Sequence, residues 1–142
     1  MTDPIFSLSY QDQRVQNLLA QLQQRTSNLR PVLAEIGEEM LRRTDLRFER
    51  EEDPSGVKWR PLSARTIAWK QANSRILKRL QSTGRLRASI TYRVESDRVI
   101  IGTNVSYAYK HQLGVGVPQR QFLGINQADE DEIIAILQDH LI

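Results

Sequence analysis

Two histidines, His111 and His140, and no cysteine are what this chain offers to nucleophilic or metal chemistry. Without cysteine and without His-x-x-x-His or Glu-x-x-His spacing, a transition-metal site has no ligand set. A serine or threonine nucleophile needs a base beside it. Only His111 stands in a distinctive context, Tyr107-Ala108-Tyr109-Lys110-His111-Gln112-Leu113-Gly114. There a helix-end imidazole satisfied by a carbonyl or by Tyr107 accounts for it better than catalysis does. The helix C-terminus would also favour its partial protonation. Gly114-Val115-Gly116 lacks a glycine at 119 and a strand-to-helix setting, so its glycines read as suppliers of positive φ rather than a nucleotide loop. Glu49, Glu51, Glu52 and Asp53 lack the spacing of a calcium loop and read as a solvated helix end. The chain reads as a non-enzyme with no cofactor and no metal.

Charge distribution is more informative. Positions 58–93 hold ten Lys/Arg and no acid, whereas 129–142 hold five acids and no Lys/Arg. The formal net charge is only +3, so segregation matters more than the total. Trp59, Trp69 and Tyr92 are interleaved with the basic residues. Such a stretch could contact phosphates and stack on bases, as a nucleic-acid-binding module does. It would equally suit an acidic protein partner, since arginine is favoured at interfaces. That partner could be the acidic C-terminal helix of a neighbouring copy, and head-to-tail contacts between unlike surfaces close into rings when the rotation allows. Trp69 is expected to pack inward from its helix. Trp59, beside Pro61 and Leu62, is expected to pin its loop to the body.

The elements that must position these residues can be placed by pattern. With 142 residues, positions 1–142 form one domain with a modest core. Positions 5–10 alternate as a short strand, and Ser9 with Asp12 offers a helix cap. Val15, Leu18, Leu19 and Leu22 form one helical stripe. Thr26-Ser27-Asn28 interrupts it, and Pro31 opens a second helix reaching about Phe48. Asp53-Pro54-Ser55-Gly56 stops that helix. Positions 57–62 should be extended because Pro61 disfavours helix at Arg60. Ser63 caps a helix to about Ala72. Ile76, Leu77 and Leu80 suit a turn or a strand. Gly84 precedes a helical turn to Ser89. Runs at 90–94 and 99–101 form a hairpin. A short helix from Ser106 ends at Gly114. Asn126 begins the last helix, with Asp129 and Glu130 in its first turn and Ile133, Ile136, Leu137 and Leu141 on its buried face. The fold class is α+β: two N-terminal helices, a small antiparallel sheet with a hairpin and a C-terminal helix. No apolar run approaches membrane-spanning length and no signal peptide is expected, so a soluble cytoplasmic product is expected.

An ordered set of short motifs runs along the chain: Phe48, Asp53-Pro54-Ser55-Gly56, Trp59-Arg60-Pro61-Leu62-Ser63, Leu80-x-x-Thr83-Gly84-x-Leu86, Val99-Ile100-Ile101-Gly102-Thr103, Tyr107-Ala108, His111-Gln112-Leu113-Gly114 and Pro118-x-Arg120-x-Phe122-Leu123-Gly124. In this order and spacing it resembles the phage virion morphogenesis family, the tail completion proteins of P2- and Mu-like contractile-tailed phages. Leu113 stands where phenylalanine is expected, and Gln119 and Gln121 flank Arg120 where alanine and proline are common. The resemblance implies a structural protein of a virion or phage-like particle tail, assembled in the host cytoplasm. It would finish the tail at its head-proximal end and support head–tail joining. Implied partners are tail tube, terminator and neck proteins, and further copies in a ring, six-fold as the tail is. DNA passing through could also be contacted. Interface residues are expected at Trp59, Arg60, Arg85, Arg87, Tyr107, His111, Arg120 and Phe122, led by the loop 118–124. Phe122 and Leu123 would serve equally well as core.

Overall fold

The computed structural model describes residues 6–7 (backbone), 12–81 and 84–142. Helix α1 (Gln13–Arg25) begins where the Asp12 carboxylate accepts the Val15 N–H at 3.1 Å, meeting a donor the helix leaves unpaired. Ser9, the other proposed cap, lies outside the described residues. Helix α2 (Arg30–Arg50) carries Pro31 in its first turn and runs two residues past Phe48. It ends at Glu51, whose left-handed backbone (φ 54°) directs its N–H to the Arg47 and Phe48 carbonyls. The turn that follows is built on Asp53, whose Oδ1 accepts from the Ser55 and Val57 N–H groups, each at 2.9 Å.

Downstream lie α3 (Ala64–Ala72), α4 (Arg85–Ser89), β2 (Thr91–Val94), β3 (Val99–Thr103), α5 (Ala108–Leu113) and α6 (Gln127–Leu141). Strand β1 (Phe6–Ser7) pairs antiparallel with β3, giving a sheet of order β1-β3-β2. The rest of the strand expected at 5–10 lies outside the described residues. The hairpin is present, with Tyr92 opposite Ile101 and Val94 opposite Val99. Positions 76–80 form no strand; 79–80 make a turn in which Leu80 adopts φ 61°. Thr83 of the quoted motif lies outside the described residues. Helix α5 starts two residues later than expected, with Tyr107 as its N-cap.

Two cores form along α2. At its N-terminal half, Leu33, Ile36 and Met40 meet Leu22 of α1 and Ile133, Ile136 and Leu137 of α6. At its C-terminal end, Phe48 meets Trp59, Leu86, Val105, Phe122 and Leu123. Ile101 packs against both. Each fully buried large side chain contributes about 1.5–3 kcal/mol, so two such groups are the main reason the elements hold. The sheet approaches α2 closely because position 37 is glycine. A Cβ there would stand 2.5 Å from Tyr92 Cδ2, a distance no carbon pair tolerates.

A buried ion pair fixes α6 to α2. Asp129 is fully buried and pairs with Arg47 and, at 3.3 Å, with Arg43. Asp129 also completes a capping box with Asn126, and the Asn126 amide donates to the Pro54 carbonyl at 2.8 Å. Asp129 thus does more than complement the helix dipole.

Candidate interaction site

Lys58, Lys78, Arg79 and Arg87 of the basic stretch pair with acids of α2 and the residues just after it, not with the acidic end of the chain. Arg87 donates through Nε to Asp45 (2.7 Å) and through Nη1 to Glu49 (3.0 Å). The hydrogen bond to Asp45 is the main cause that raises the Arg87 pKa and lowers that of Asp45. Lys78 pairs with Glu49 at 2.8 Å, Arg79 with Glu51 at 3.2 Å and Lys58 with Glu52 at 3.6 Å. Arg60, Arg65 and Arg75 keep exposed side chains, and Arg75 lies over the Trp69 ring at 5.9 Å.

The loop expected to lead the interface is instead stitched into the body. Trp59 is 3% exposed; its Nε1 donates to the Gln121 carbonyl at 2.8 Å and its ring meets Phe48 edge-on at 5.4 Å. Phe122 is fully buried, 5.6 Å from Phe48. Arg120 donates to the carbonyls of Arg60 (3.0 Å) and Pro61 (3.3 Å). The side chains of Trp59, Phe122 and Arg120 therefore face inward: Trp59 pins its loop to the body and Phe122 is core, the alternatives to their place in an interface, and Arg120 offers little surface to one. Their burial follows from the aromatic group around Phe48, which needs both loops to close it.

A buried loop must find partners for its backbone, and Gln112 supplies them. Its Oε1 accepts from the N–H groups of Phe122 and Leu123, each at 3.0 Å, and its Nε2 donates to the Leu123 carbonyl at 2.8 Å. Gln112 stands in the ordered motif set but without an assigned role. Its signal was the spacing of four from Ala108, which puts both on the buried face of α5.

Arg85, Tyr107, His111 and Arg120 do come together. With Lys70 and the leucines at 62, 80 and 86 they line a cavity of about 190 Å³. Arg85 lies over the Tyr107 ring at 6.0 Å. Tyr107 meets His111 edge-on at 6.1 Å and does not satisfy it by hydrogen bonding; His111 Nδ1 is buried with no hydrogen-bond partner. Burial, then Arg120 and Lys110, push the His111 pKa down. The expected help from the helix C-terminus is outweighed, and the neutral imidazole is favoured. Burial, then Arg120, likewise lowers Lys70. Burial, then Arg79 and Arg60, lowers Arg120.

Several apolar side chains stay outside both cores. Trp69 is 53% exposed, contrary to the inward packing expected of it. The inward position on α3 belongs to Lys70. Ile76 and Leu77 are exposed in the segment after α3. Tyr109 and Leu113, four residues apart on one face of α5, are exposed, and Val115 follows. Among the described residues no helix is long and apolar enough to cross a membrane. No group of three His, Asp or Glu among them could hold a metal ion.

Comparison with known proteins adds a lineage. The phage virion morphogenesis family matches residues 10–142. The Mu-like prophage FluMu G protein 2 of Haemophilus influenzae is 32% identical over 136 residues, covering 90% of this chain and 89% of its own. The putative capsid assembly protein G of Escherichia phage Mu is 32% identical over 105 residues, covering 66% and 67% respectively. No solved structure matches.

Proposed function

The chain belongs to the phage virion morphogenesis family, and we propose that it completes the tail of a phage or phage-like particle at its head-proximal end and supports head–tail joining. Membership carries the coarser part, a structural role in particle assembly. For the finer part, the supporting observation is the set of exposed apolar side chains on α3, in the segment after it and on α5. Trp69, Leu77 and Leu113 are each about half exposed; in this reading they belong to one surface that neighbouring proteins cover, as contiguous exposed apolar groups do. Exposed Arg60, Arg65 and Arg75 lie in the same part of the chain. They would set encounter and register, while the apolar contacts supply affinity. The partners in this reading are tail tube, terminator and neck proteins, and further copies in a ring. A capsid assembly function, as the Mu relative is named, and tail completion meet at the head–tail junction. In this reading the chain is not an enzyme.

The test is deletion of the gene, complementation and electron microscopy. The expected result is loss of joined particles, restored by wild type but not by Trp69→Glu/Leu113→Glu, a variant that stays folded because both sites are exposed. Normal tails joined to heads in the deletion strain would overturn the proposal. A second reading, nucleic-acid binding through Arg60, Arg65, Arg75 and the exposed Trp69, predicts a steep fall of DNA affinity with salt. Salt-insensitive or absent DNA binding removes it.

A further inference from the structure

The cavity beside α3 and α5 gathers positive charge that the chain itself leaves poorly balanced. Lys70 and Arg120 are 5% and 8% exposed. The hydrogen bonds they make run to carbonyl oxygens: Lys70 Nζ to Lys78 at 3.1 Å, and Arg120 to Arg60 and Pro61. A carbonyl satisfies a donor but brings no counter-charge, and a buried cation without one is costly. Glu51 is the acid that favours the charged forms of both. Its Oε1 is already engaged by the Arg79 N–H at 2.6 Å and by the Arg79 guanidinium at 3.2 Å. Arg85 adds a further cation to the lining. His111, against the same space, holds a buried Nδ1 that nothing meets.

From the buried Lys70 and Arg120, the unmet His111 Nδ1 and the leucine-lined cavity between them, we propose that this cavity binds a carboxylate side chain, an aspartate or glutamate presented by a neighbouring protein subunit of the particle. The inference rests on the assembly role proposed above. About 190 Å³ exceeds the roughly 30 Å³ share of one water several-fold, so it admits a carboxylate and its methylenes. The leucines of the lining suit those methylenes, and the buried Lys70 and Arg120 suit the charge. A nucleic-acid backbone fits less well, because it presents phosphates along an open surface, whereas Lys70 and Arg120 are buried. Binding would supply the missing counter-charge and raise the His111 pKa from its lowered position, since an anion favours the charged imidazole.

Propionate is the probe, titrated into isotopically labelled full-length protein at constant ionic strength, with the His111 imidazole followed by NMR. Parallel titrations use inorganic phosphate and chloride. The expected result is a saturable shift with propionate, a raised His111 pKa in its presence and at least about a tenfold loss of affinity in Lys70→Met, as removal of one charged hydrogen bond implies. A linear response equal in all three salts overturns the proposal. Tighter saturable binding of phosphate also overturns it, in favour of a nucleic-acid phosphate. The wild-type titration decides even where Lys70→Met does not fold. Failure here leaves the assembly role standing, since the deletion strain tests that role separately.

Discussion

Asp129→Ala isolates the contact that fixes α6 to α2. The substitution leaves the Arg47 guanidinium buried, with its hydrogen bond to the Gly124 carbonyl at 2.9 Å but without its carboxylate. It also removes the acceptor for the Asn126 N–H at 3.0 Å. Breaking a buried pair by deleting one partner costs about 3–5 kcal/mol, because the remaining charge is stranded. The lost half of the capping box overlaps with that figure and does not simply add to it. A domain of this size has roughly 5–15 kcal/mol in hand, so the loss is a large share of the total. It corresponds to a fall in Tm of roughly 10–20 °C. Urea unfolding followed by circular dichroism should show a lower midpoint at unchanged slope. The double variant Arg47→Met/Asp129→Leu removes both charges and should recover most of the loss, because an apolar pair of similar volume replaces a buried ion pair at little cost. A loss under about 1 kcal/mol for Asp129→Ala, or a double variant as unstable as the two single variants summed, would refute the assignment of α6 docking to this pair.

Gly37→Ala would gain about 1 kcal/mol in an isolated helix, but here the new Cβ meets the Tyr92 ring, so a net loss of about 1–2 kcal/mol is expected in urea unfolding. Acrylamide quenching should separate the two tryptophans: Trp69→Phe removes most of the quenchable emission, whereas Trp59→Phe leaves it and costs about 1 kcal/mol through the lost bond to Gln121. His111 is held below its ordinary pKa of 6.5 by burial and then by Arg120 and Lys110. Its depressed folded value means that stability is full above about pH 6.5 and is lost as pH falls through the folded pKa. His111→Gln should flatten that acid limb of a stability–pH curve, and an unchanged slope would contradict the burial of the imidazole.

What sequence alone reveals here is mostly local. Pro31, Ser63, Gly114 and Asn126 mark helix ends because capping acts within a few residues, and each holds its expected place; Asp12, expected to share a cap with Ser9, is itself the N-cap of α1. The hairpin is legible for the same reason. Asp129 is legible only as a helix-start acid, because its partner Arg47 lies 82 positions away. Trp69 misleads because α3 is too polar to declare a buried face, and the inward position falls to Lys70 one residue on. The meeting of Arg120, Lys70 and His111 in one cavity is not legible, since it depends on how α5 and the loop 118–124 fold back beside α3. The loop's core role turns on Gln112, whose three hydrogen bonds to it leave no mark in a hydrophobic pattern.

The contact between β1 and β3, together with α6 packed on α1 and α2, joins the two ends of the chain. His140 also meets Glu35 at 2.7 Å, and Arg25 reaches the Leu141 carbonyl. A chain made from its N-terminus therefore completes α1 and α2 long before the helix that covers them. Through most of synthesis the stripe of Leu22, Leu33 and Ile36 has no final partner, and β1 waits for a strand about ninety residues later. The first core can close only after α6 has been made, so its native packing arrives in one late step. Loss of the last helix by an early stop would leave an apolar α1–α2 pair open to solvent, a species for proteases and aggregation to remove before it could reach a particle.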